Sequence, residues 1–227
     1  MNLVRFRPIL AGARLSDRIV AGIGALVCLT VTILLCGCLP LAATDLPVVV
    51  APLGASAVLA FAVPASPLAQ PWSIIGGNTI SALVGVLAYR FVPDEAFEAG
   101  MAVGVAILFM SLLRCLHPPG GAAALTAVIG GNSVHAAGYA FALVPVAFNS
   151  IVLVTLAMMF HRLSRHSYPH RAIQTAGPMA QLHKDDIDAA LADMHEAFDI
   201  AREDLDQLLD RAEWHAERRR GRTTPRR

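Results

Sequence analysis

The stretch RCLHPPGGAAALTAVIGG, residues 114–131, places an arginine, a histidine, two prolines and two glycines inside a strongly apolar chain. Proline disfavours helical backbone in the residue before it, so His117 and Pro118 are predicted to be extended or irregular. Pro119 suits the first position of a helix, and the small residues after it continue that helix. The stretch therefore predicts a helix that starts at Pro119, within the apolar region.

The start of a helix has N–H groups without intrahelical acceptors, and its dipole favours negative charge. Inside hydrocarbon, such backbone must face protein or water. Gly120 and Gly121 let a ligand approach these N–H groups. Arg114 and His117 add donors on the same side, and an ordinary imidazole titrates at about pH 6.5. The stretch predicts a buried site that receives an anion. The alternative is a tight turn between two spans, with His117 at the lipid interface.

The composition of the whole chain is that of a membrane protein. Of its 227 residues, 56% are hydrophobic and 15% are charged, and the mean hydropathy is +0.57. These values are too apolar for an ordinary soluble domain. Residues 1–18 are basic and residues 161–227 carry many charges of both signs, whereas residues 19–160 are almost uncharged. The net charge of +1 results from cancellation between these parts and gives no indication of nucleic-acid binding.

Six apolar segments follow from the uncharged runs, because a helix needs about 20 apolar residues to cross a bilayer. They are residues 19–44, 46–63, 72–89, 99–113, 117–131 and 137–160. Two of them, 46–63 and 117–131, are short or begin at proline and glycine. Basic residues beside the first and last segments predict a multi-pass protein of the cell membrane with both termini in the cytoplasm. Six full crossings place both termini on the same side, and so do four full crossings with two re-entrant segments.

Two parts of the membrane region resemble each other. APLGASAVLAFAVP, residues 51–64, is similar to HPPGGAAALTAVIG, residues 117–130, and each is followed by a span with an asparagine, Asn78 or Asn149. The chain therefore reads as two three-segment repeats, with a broken helix in each. Such repeats are typical of transporters, whose sites lie at the breaks. The first repeat then contributes Gly54, Ala55 and Ser56 as the counterpart of the glycines after Pro119. Packing hydrogen bonds are the alternative role of the two asparagines, and snorkelling at a helix end is the alternative role of Arg114.

The runs LHPPGGAAAL and PLGASAVLAFAVPASPLAQPWSIIGGNTISALVGV together resemble the HPP family of integral membrane proteins, over roughly residues 20–160. The resemblance implies a multi-spanning transporter, usually with four full spans, and a plant plastid branch of the family is associated with nitrite. The site residues that it implies are His117, Pro118, Pro119, Gly120, Gly121 and the Gly54-Ala55-Ser56 run. Some bacterial relatives carry C-terminal CBS domains. The residues after 171 are too few for a CBS pair, so nucleotide sensing is not implied.

The C-terminal part divides from the membrane domain, residues 19–163, at a proline-containing linker, residues 164–181. In residues 182–218, apolar side chains recur at heptad spacing from Ile187 to Ala212, which predicts cytoplasmic amphipathic helices. They pair with a second copy in a homo-oligomer or fold back as a hairpin, with Asp199 capping a second helix near Arg202. The basic tail, residues 219–227, is predicted to be disordered.

The sequence contains no serine-protease-like triad, no H-E-x-x-H motif and no P-loop, so no enzymatic activity, cofactor or metal is predicted. His161, His166 and His170 have near-helical spacing, but Pro169 interrupts that helix. We expect an all-α membrane protein that moves a small anion, nitrite-like in size, along a path lined by the two broken helix starts. A non-transporting scaffold or sensor that acts through the cytoplasmic helices is the alternative. An intramembrane enzyme with His117 as acid and base is the third reading.

Overall fold

The computed structural model describes residues 15–38, 49–164, 167–170, 184–194, 200 and 202–223, and the regular secondary structure within them is helical. The α-helices are α1 (Leu15–Gly37), α2 (Pro52–Ala62), α3 (Pro71–Phe91), α4 (Glu95–Leu112), α5 (Pro118–Ile129), α6 (Asn132–Ala137), α7 (Tyr139–Phe141), α8 (Phe148–Leu163), α9 (Lys184–Met194) and α10 (Arg202–Thr223). A 3-10 turn spans Pro67–Ala69, and a π-helical turn spans Ala142–Ala147. Most of the basic N-terminal segment, most of the predicted linker and the last residues of the tail lie outside the described residues.

Among the described residues, three helices are long and apolar enough to cross a membrane, namely Leu15–Gly37, Pro71–Phe91 and Tyr139–Leu163. Three shorter apolar helices, Pro52–Ala62, Ala96–Leu112 and Pro118–Ile129, lie among them. Such apolar helices satisfy their own backbone hydrogen bonds in hydrocarbon. The chain is therefore an all-helical membrane protein with several spans.

Side-chain contacts show which helix ends lie together. A Cβ atom at Gly24 of α1 would lie 2.7 Å from the rings of Phe61 and Phe160, so the ends of α2 and α8 flank the first half of α1. The Trp72 Nε1 group donates to the Leu113 carbonyl at 3.1 Å, which joins the start of α3 to the end of α4. We call this side of the bundle, which holds the start of α1 and the end of α8, the near end.

The opposite side, the far end, holds the end of α3 and the segment after α5. The guanidinium carbon of Arg90 lies 4.6 Å from the centre of the Tyr139 ring. Tyr89 stacks on His135 with ring centroids 3.7 Å apart. Because α2 runs toward the near end and α5 runs away from it, the two short helices are antiparallel, and their first turns meet.

Small residues let α3 and α5 pack closely side by side. A Cβ atom at Gly77 would lie 2.5 Å from the Cβ of His117, and one at Gly85 would overlap the Ala124 carbonyl. Such small-residue contacts are the usual way in which membrane helices approach one another. The tight packing fixes the start of α5 against the second turn of α3.

The predicted last span, 137–160, corresponds to the candidate span Tyr139–Leu163, and its helix is kinked. Gly138 has a φ of +52°, and Val144 has a non-helical φ of −135° just before Pro145. Proline removes a helical hydrogen bond and clashes with the preceding turn, which explains the break. The six-residue helix α6 lies where the predicted segments 117–131 and 137–160 join.

Several predicted boundaries also shift. The helix of segment 46–63 begins only at Pro52, and α5 begins at Pro118 rather than Pro119. Helix α4 begins at Glu95, before the predicted segment 99–113, because the Asp94 carboxylate accepts a hydrogen bond from the Phe97 N–H at 2.8 Å. An aspartate in this position caps a helix and sets its start.

The C-terminal helices α9 and α10 form two separate elements. The Arg202 guanidinium contacts the Asp188 carboxylate of α9 and also bonds Asp206 at 2.8 Å. In one continuous helix, residues 188 and 202 would be roughly 21 Å apart, too far for this contact. The contact therefore favours the hairpin over one uninterrupted heptad stripe. Helix α10 continues to Thr223, into the tail that was predicted to be disordered from residue 219.

Candidate functional site: a buried polar cluster where two helix starts meet

His117 lies directly before α5 with extended backbone, φ −144° and ψ 108°, as expected for a residue that precedes proline. Its side chain is completely buried. The Nδ1 atom lies 2.8 Å from the Leu68 carbonyl oxygen, and Nε2 lies 2.8 Å from the Ser56 hydroxyl oxygen. The imidazole therefore bridges the 3-10 turn and the second turn of α2.

Asn78 connects this histidine pair to α8. Its Nδ2 group donates to Ser56 Oγ at 3.1 Å and to Ser150 Oγ at 3.2 Å. Ser150 in turn donates to the Val146 carbonyl at 2.9 Å. We call Ser56, Asn78, His117 and Ser150 the polar cluster. It joins α2, α3, α8 and the start of α5 by hydrogen bonds in an apolar bundle.

Four buried polar atoms at these helices have no hydrogen-bond partner among the described residues. They are Oδ1 of Asn78, Oγ of Ser81, and both Oδ1 and Nδ2 of Asn149. The Asn149 side chain is fully buried on α8, next to Ser150. An unsatisfied buried group costs about 1–3 kcal/mol, so such groups mark places where another molecule is expected to bind.

The backbone donors at the two helix starts are largely in use. Pro118 and Pro119 have no N–H group, and the Gly120 N–H donates to the His117 carbonyl at 2.8 Å. In α2, Leu53 and Gly54 donate to the carbonyls of residues 50 and 51, each at 3.0 Å. The dipoles of both helices still point their positive ends toward the place where they meet. Side-chain donors, rather than the first backbone N–H groups, are therefore the groups left to hold a ligand.

The two glycines of the opening stretch have different surroundings. A Cβ atom at Gly120 would lie 2.7 Å from Ser81 Oγ and 2.9 Å from the Gly77 carbonyl. At Gly121 the nearest atom is a methyl group of Val103 at 3.7 Å, an ordinary contact. Helix packing thus accounts for Gly120, and nothing in the contacts of Gly121 requires glycine there.

Several other predicted site residues lie outside the polar cluster. Arg114, Ala55 and Pro118 are exposed, and Gly54 is half-buried beside open space. Arg114 has a φ of +54° in the turn that ends α4, where the Cys115 N–H donates to the Met110 carbonyl at 2.8 Å. The predicted residues that the structure brings together are Ser56, Asn78 and His117.

The sequence did not point to three groups that lie in or beside the polar cluster. Ser150 follows Asn149 directly, and Ser81 lies three residues after Asn78, on the same helix face. A search for further polar residues around the two asparagines would have found both. The Leu68 carbonyl has no signal in the sequence, because any residue supplies a carbonyl and only the fold places it at His117.

Metal binding has no support in the part of the chain that the structure describes, where no group of three or more His, Cys, Asp or Glu side chains is placed to hold an ion. The cysteines at 28, 36, 38 and 115 are free thiols.

The chain is similar to one known protein family and to two proteins of Dictyostelium discoideum. A model of the HPP transmembrane region matches residues 11–169. A protein of Dictyostelium discoideum, named only as a transmembrane protein, is 39% identical over 127 residues, which are 54% of this chain and 44% of that protein. A second transmembrane protein of the same organism is 37% identical over 121 residues, 51% of this chain and 38% of its own length.

The chain thus spans less than half the length of these two relatives. No solved structure matches it significantly. The family match covers every element that contributes to the polar cluster, from α2 to α8. The chain belongs to the HPP family of integral membrane proteins.

Proposed function

We propose that this protein transports a small anion, nitrite-like in size, across the cell membrane, past the polar cluster. The observation that carries the proposal is the Asn149 amide, which is fully buried on a membrane helix and has no hydrogen-bond partner among the described residues. A bound ligand would satisfy it.

The chemistry of the available groups supports an anion. The Asn149 amide nitrogen and the Ser81 hydroxyl are uncharged donors, and Ser81 Oγ lies against Gly120 in the first turn of α5, at the positive end of that helix dipole. In a low-dielectric interior, such donors and dipoles bind negative charge more strongly than in water.

The order of the helices supports two related halves of three segments each, α1 to α3 and α4 to α8. Because the first half begins at the near end and the second at the far end, the halves run in opposite senses. Inverted repeats of this kind place a transport site where their broken helices meet. Six crossings return the chain to its starting side, and basic residues at both ends favour the cytoplasm for that side.

A scaffold or sensor without transport activity is the alternative function. The His170 imidazole pairs with Asp204 of α10 at 2.9 Å, so the cytoplasmic hairpin contacts the end of the membrane domain. A partner that bound this hairpin would then act on the membrane domain. We propose no enzymatic activity for either function.

The test is uptake of nitrite, nitrate, formate or chloride into liposomes that contain the purified protein. Asn149→Leu should lower the uptake rate about tenfold or more, since a hydrogen bond to a charged ligand is worth about 1.5–3 kcal/mol. It should not lower the melting temperature, because leucine removes unpartnered polar atoms at nearly constant volume. The exposed residue Asn132 supplies the matched control, Asn132→Leu, which should keep normal uptake.

Uptake of none of the four anions above that of protein-free liposomes would contradict transport and favour the scaffold. Normal uptake by a folded Asn149→Leu protein would show that Asn149 does not bind the transported anion. Protein-free liposomes are essential for nitrite, since nitrous acid crosses bilayers unaided, whereas nitrate stays ionised.

A further inference from the structure

The hydrogen-bond geometry of His117 determines where its ring hydrogen lies. Nδ1 faces the Leu68 carbonyl at 2.8 Å, and a carbonyl oxygen only accepts. Nδ1 therefore carries a hydrogen. Nε2, at 2.8 Å from Ser56 Oγ, is free either to accept from that hydroxyl or to carry a second hydrogen and donate to it.

The Ser56 hydroxyl has one hydrogen and two possible acceptors. Its Oγ lies 3.1 Å from the Pro52 carbonyl as well as 2.8 Å from His117 Nε2, while Asn78 donates to it. With neutral His117, the hydroxyl satisfies only one of the two acceptors. With protonated His117, Nε2 donates to Ser56 and Ser56 donates to Pro52, so that every contact joins a donor to an acceptor. His117 Nε2 can therefore bind a proton when the Ser56 hydroxyl rotates to donate to the Pro52 carbonyl.

The described residues around His117 supply no negative charge to balance that proton. The titratable and charged residues on the helices packed against α5 are Tyr89 and Arg90 of α3, Glu95 and Glu98 of α4, and His135 of α6. All of these lie toward the far end. Glu98 is about 14 residues, or roughly 21 Å, from the near end of α4.

Closer to His117, the titratable groups among the described residues are the buried thiol of Cys115 and the buried phenol of Tyr168, which donates to the Ala69 carbonyl beside Leu68, and Arg114 is exposed at the end of α4. Helix α2 and the 3-10 turn carry no ionisable side chain, and His161 and Arg162 lie in the last turn of α8. A protonated His117 would thus be a buried charge without a counter-ion among the residues that the structure describes. A buried charge of this kind is costly unless it is paired.

We propose that His117 takes up a proton together with the anion, and that the protein is an electroneutral proton–anion symporter. This inference rests on the proposed transport function. The anion supplies the counter-charge that the described surroundings of His117 lack, and the proton supplies the positive charge that the anion needs, so each lowers the cost of burying the other. The proton binds the Nε2 lone pair from one aqueous side and leaves to the other side with the anion, which returns His117 and Ser56 to their starting state.

The experiment uses the full chain in liposomes with a trapped pH indicator, and the membrane potential clamped by valinomycin and potassium. Nitrate is the first probe, and nitrite is corrected for protein-free liposomes. We expect about one proton taken up per anion, and an accumulation ratio that does not change with the clamped potential. An anion carrier without proton coupling would instead lose accumulation about tenfold for each ~60 mV of inside-negative potential.

A matched pair of variants localises the proton. His117→Gln removes the titratable ring and keeps a polar side chain, and it should abolish proton uptake. His135→Gln changes a histidine at the far end, whose Nε2 also faces a carbonyl, that of Val128 at 2.8 Å. It should retain proton uptake and potential-independent accumulation.

The outcomes separate the two proposals. Anion uptake by the wild-type protein without proton uptake would overturn symport and leave transport intact. No uptake of any anion would overturn transport and symport together. Because these readouts come from the wild-type protein, they decide the question even if His117→Gln fails to fold. Proton-coupled uptake that persists in a folded His117→Gln protein would overturn the assignment to His117.

Discussion

At the scale of single residues, Gly120 and Gly121 are adjacent, and their surroundings differ sharply. Gly120 faces Ser81 and the backbone of Gly77 at distances that no Cβ atom tolerates, whereas Gly121 faces Val103 across an ordinary contact. The difference arises because consecutive helical residues point about 100° apart, so only one of them faces α3.

We predict that Gly120→Ala destabilises the protein by about 1–3 kcal/mol, since the added methyl group forces α3 and α5 apart. Gly121→Ala should leave stability unchanged or raise it by up to about 1 kcal/mol, because alanine favours helix over glycine. The measurement is the loss of monodisperse protein on heating in detergent, for both variants. Equal destabilisation by both variants would contradict the prediction, because it would mean that helix packing requires glycine at position 121 as well.

At the scale of elements, the segment between α2 and α3 is held by many hydrogen bonds. The Gln70 Nε2 group donates to the carbonyls of Pro64 at 3.0 Å and Ser66 at 2.8 Å. The buried Tyr168 hydroxyl donates to the Ala69 carbonyl at 2.9 Å, and the His170 N–H donates to Gln70 Oε1 at 3.0 Å. Residues 167–170, which follow the last span, thus hold the turn whose Leu68 carbonyl contacts His117.

We predict that Tyr168→Phe destabilises the membrane domain by about 1–2 kcal/mol, because the Ala69 carbonyl loses its hydroxyl donor while the ring still fills its place. Tyr139→Phe is the control, since Tyr139 is 40% exposed at the far end. Thermal unfolding of both variants in the same detergent measures the effect. A melting temperature of Tyr168→Phe equal to that of the wild type would mean that this hydrogen bond contributes nothing to stability.

The same hydroxyl predicts a pH dependence. Burial raises the pKa of Tyr168 above its ordinary value, and an ordinary tyrosine titrates at about 10. The folded state therefore favours the protonated phenol, so the stabilisation is complete below about pH 10 and is lost as the pH rises above that value. In alkaline titrations the melting temperature of the wild type should fall more steeply than that of Tyr168→Phe. Parallel curves for the two proteins would contradict the prediction.

At the scale of the whole molecule, few contacts join the described residues of the membrane domain to those of the hairpin of α9 and α10. The His170–Asp204 pair is about 21% exposed on each side. A partly exposed ion pair contributes at most about 1 kcal/mol. The apolar core clusters contain residues of α1 to α8 and Tyr168, and no residue of α9 or α10.

We predict that deletion of residues 182–227 leaves the membrane domain folded, with a melting temperature lowered by no more than a few degrees. If the hairpin is an assembly device, the deletion also reduces the oligomeric state. Size-exclusion chromatography with light scattering reports both the fold and the mass. Aggregation of the truncated protein in several detergents would show that the hairpin is needed for folding.

The sequence by itself determined the class of the protein and the residues of interest. Long uncharged apolar segments are typical of membrane-spanning helices and not of soluble domains, so the composition predicted the helical membrane domain. Pro118 prevents helical backbone at His117, so the break before α5 followed from local sterics. Likewise, an asparagine in an apolar helix needs a partner, which drew attention to Asn78 and Asn149. These conclusions depend only on neighbours along the chain and on the solvent.

Only the tertiary structure decided which of these residues meet. Ser56 and His117 are 61 residues apart, and Asn78 and Ser150 are 72 apart, so no local pattern encodes their contacts. The structure also assigned Gly120 to helix packing and placed Arg114 outside the cluster. The broken last span depends on Pro145, whose effect on an apolar segment varies with the neighbours that replace the lost hydrogen bond. Distances through space depend on how the helices pack, and the sequence specifies that packing only through the fold as a whole.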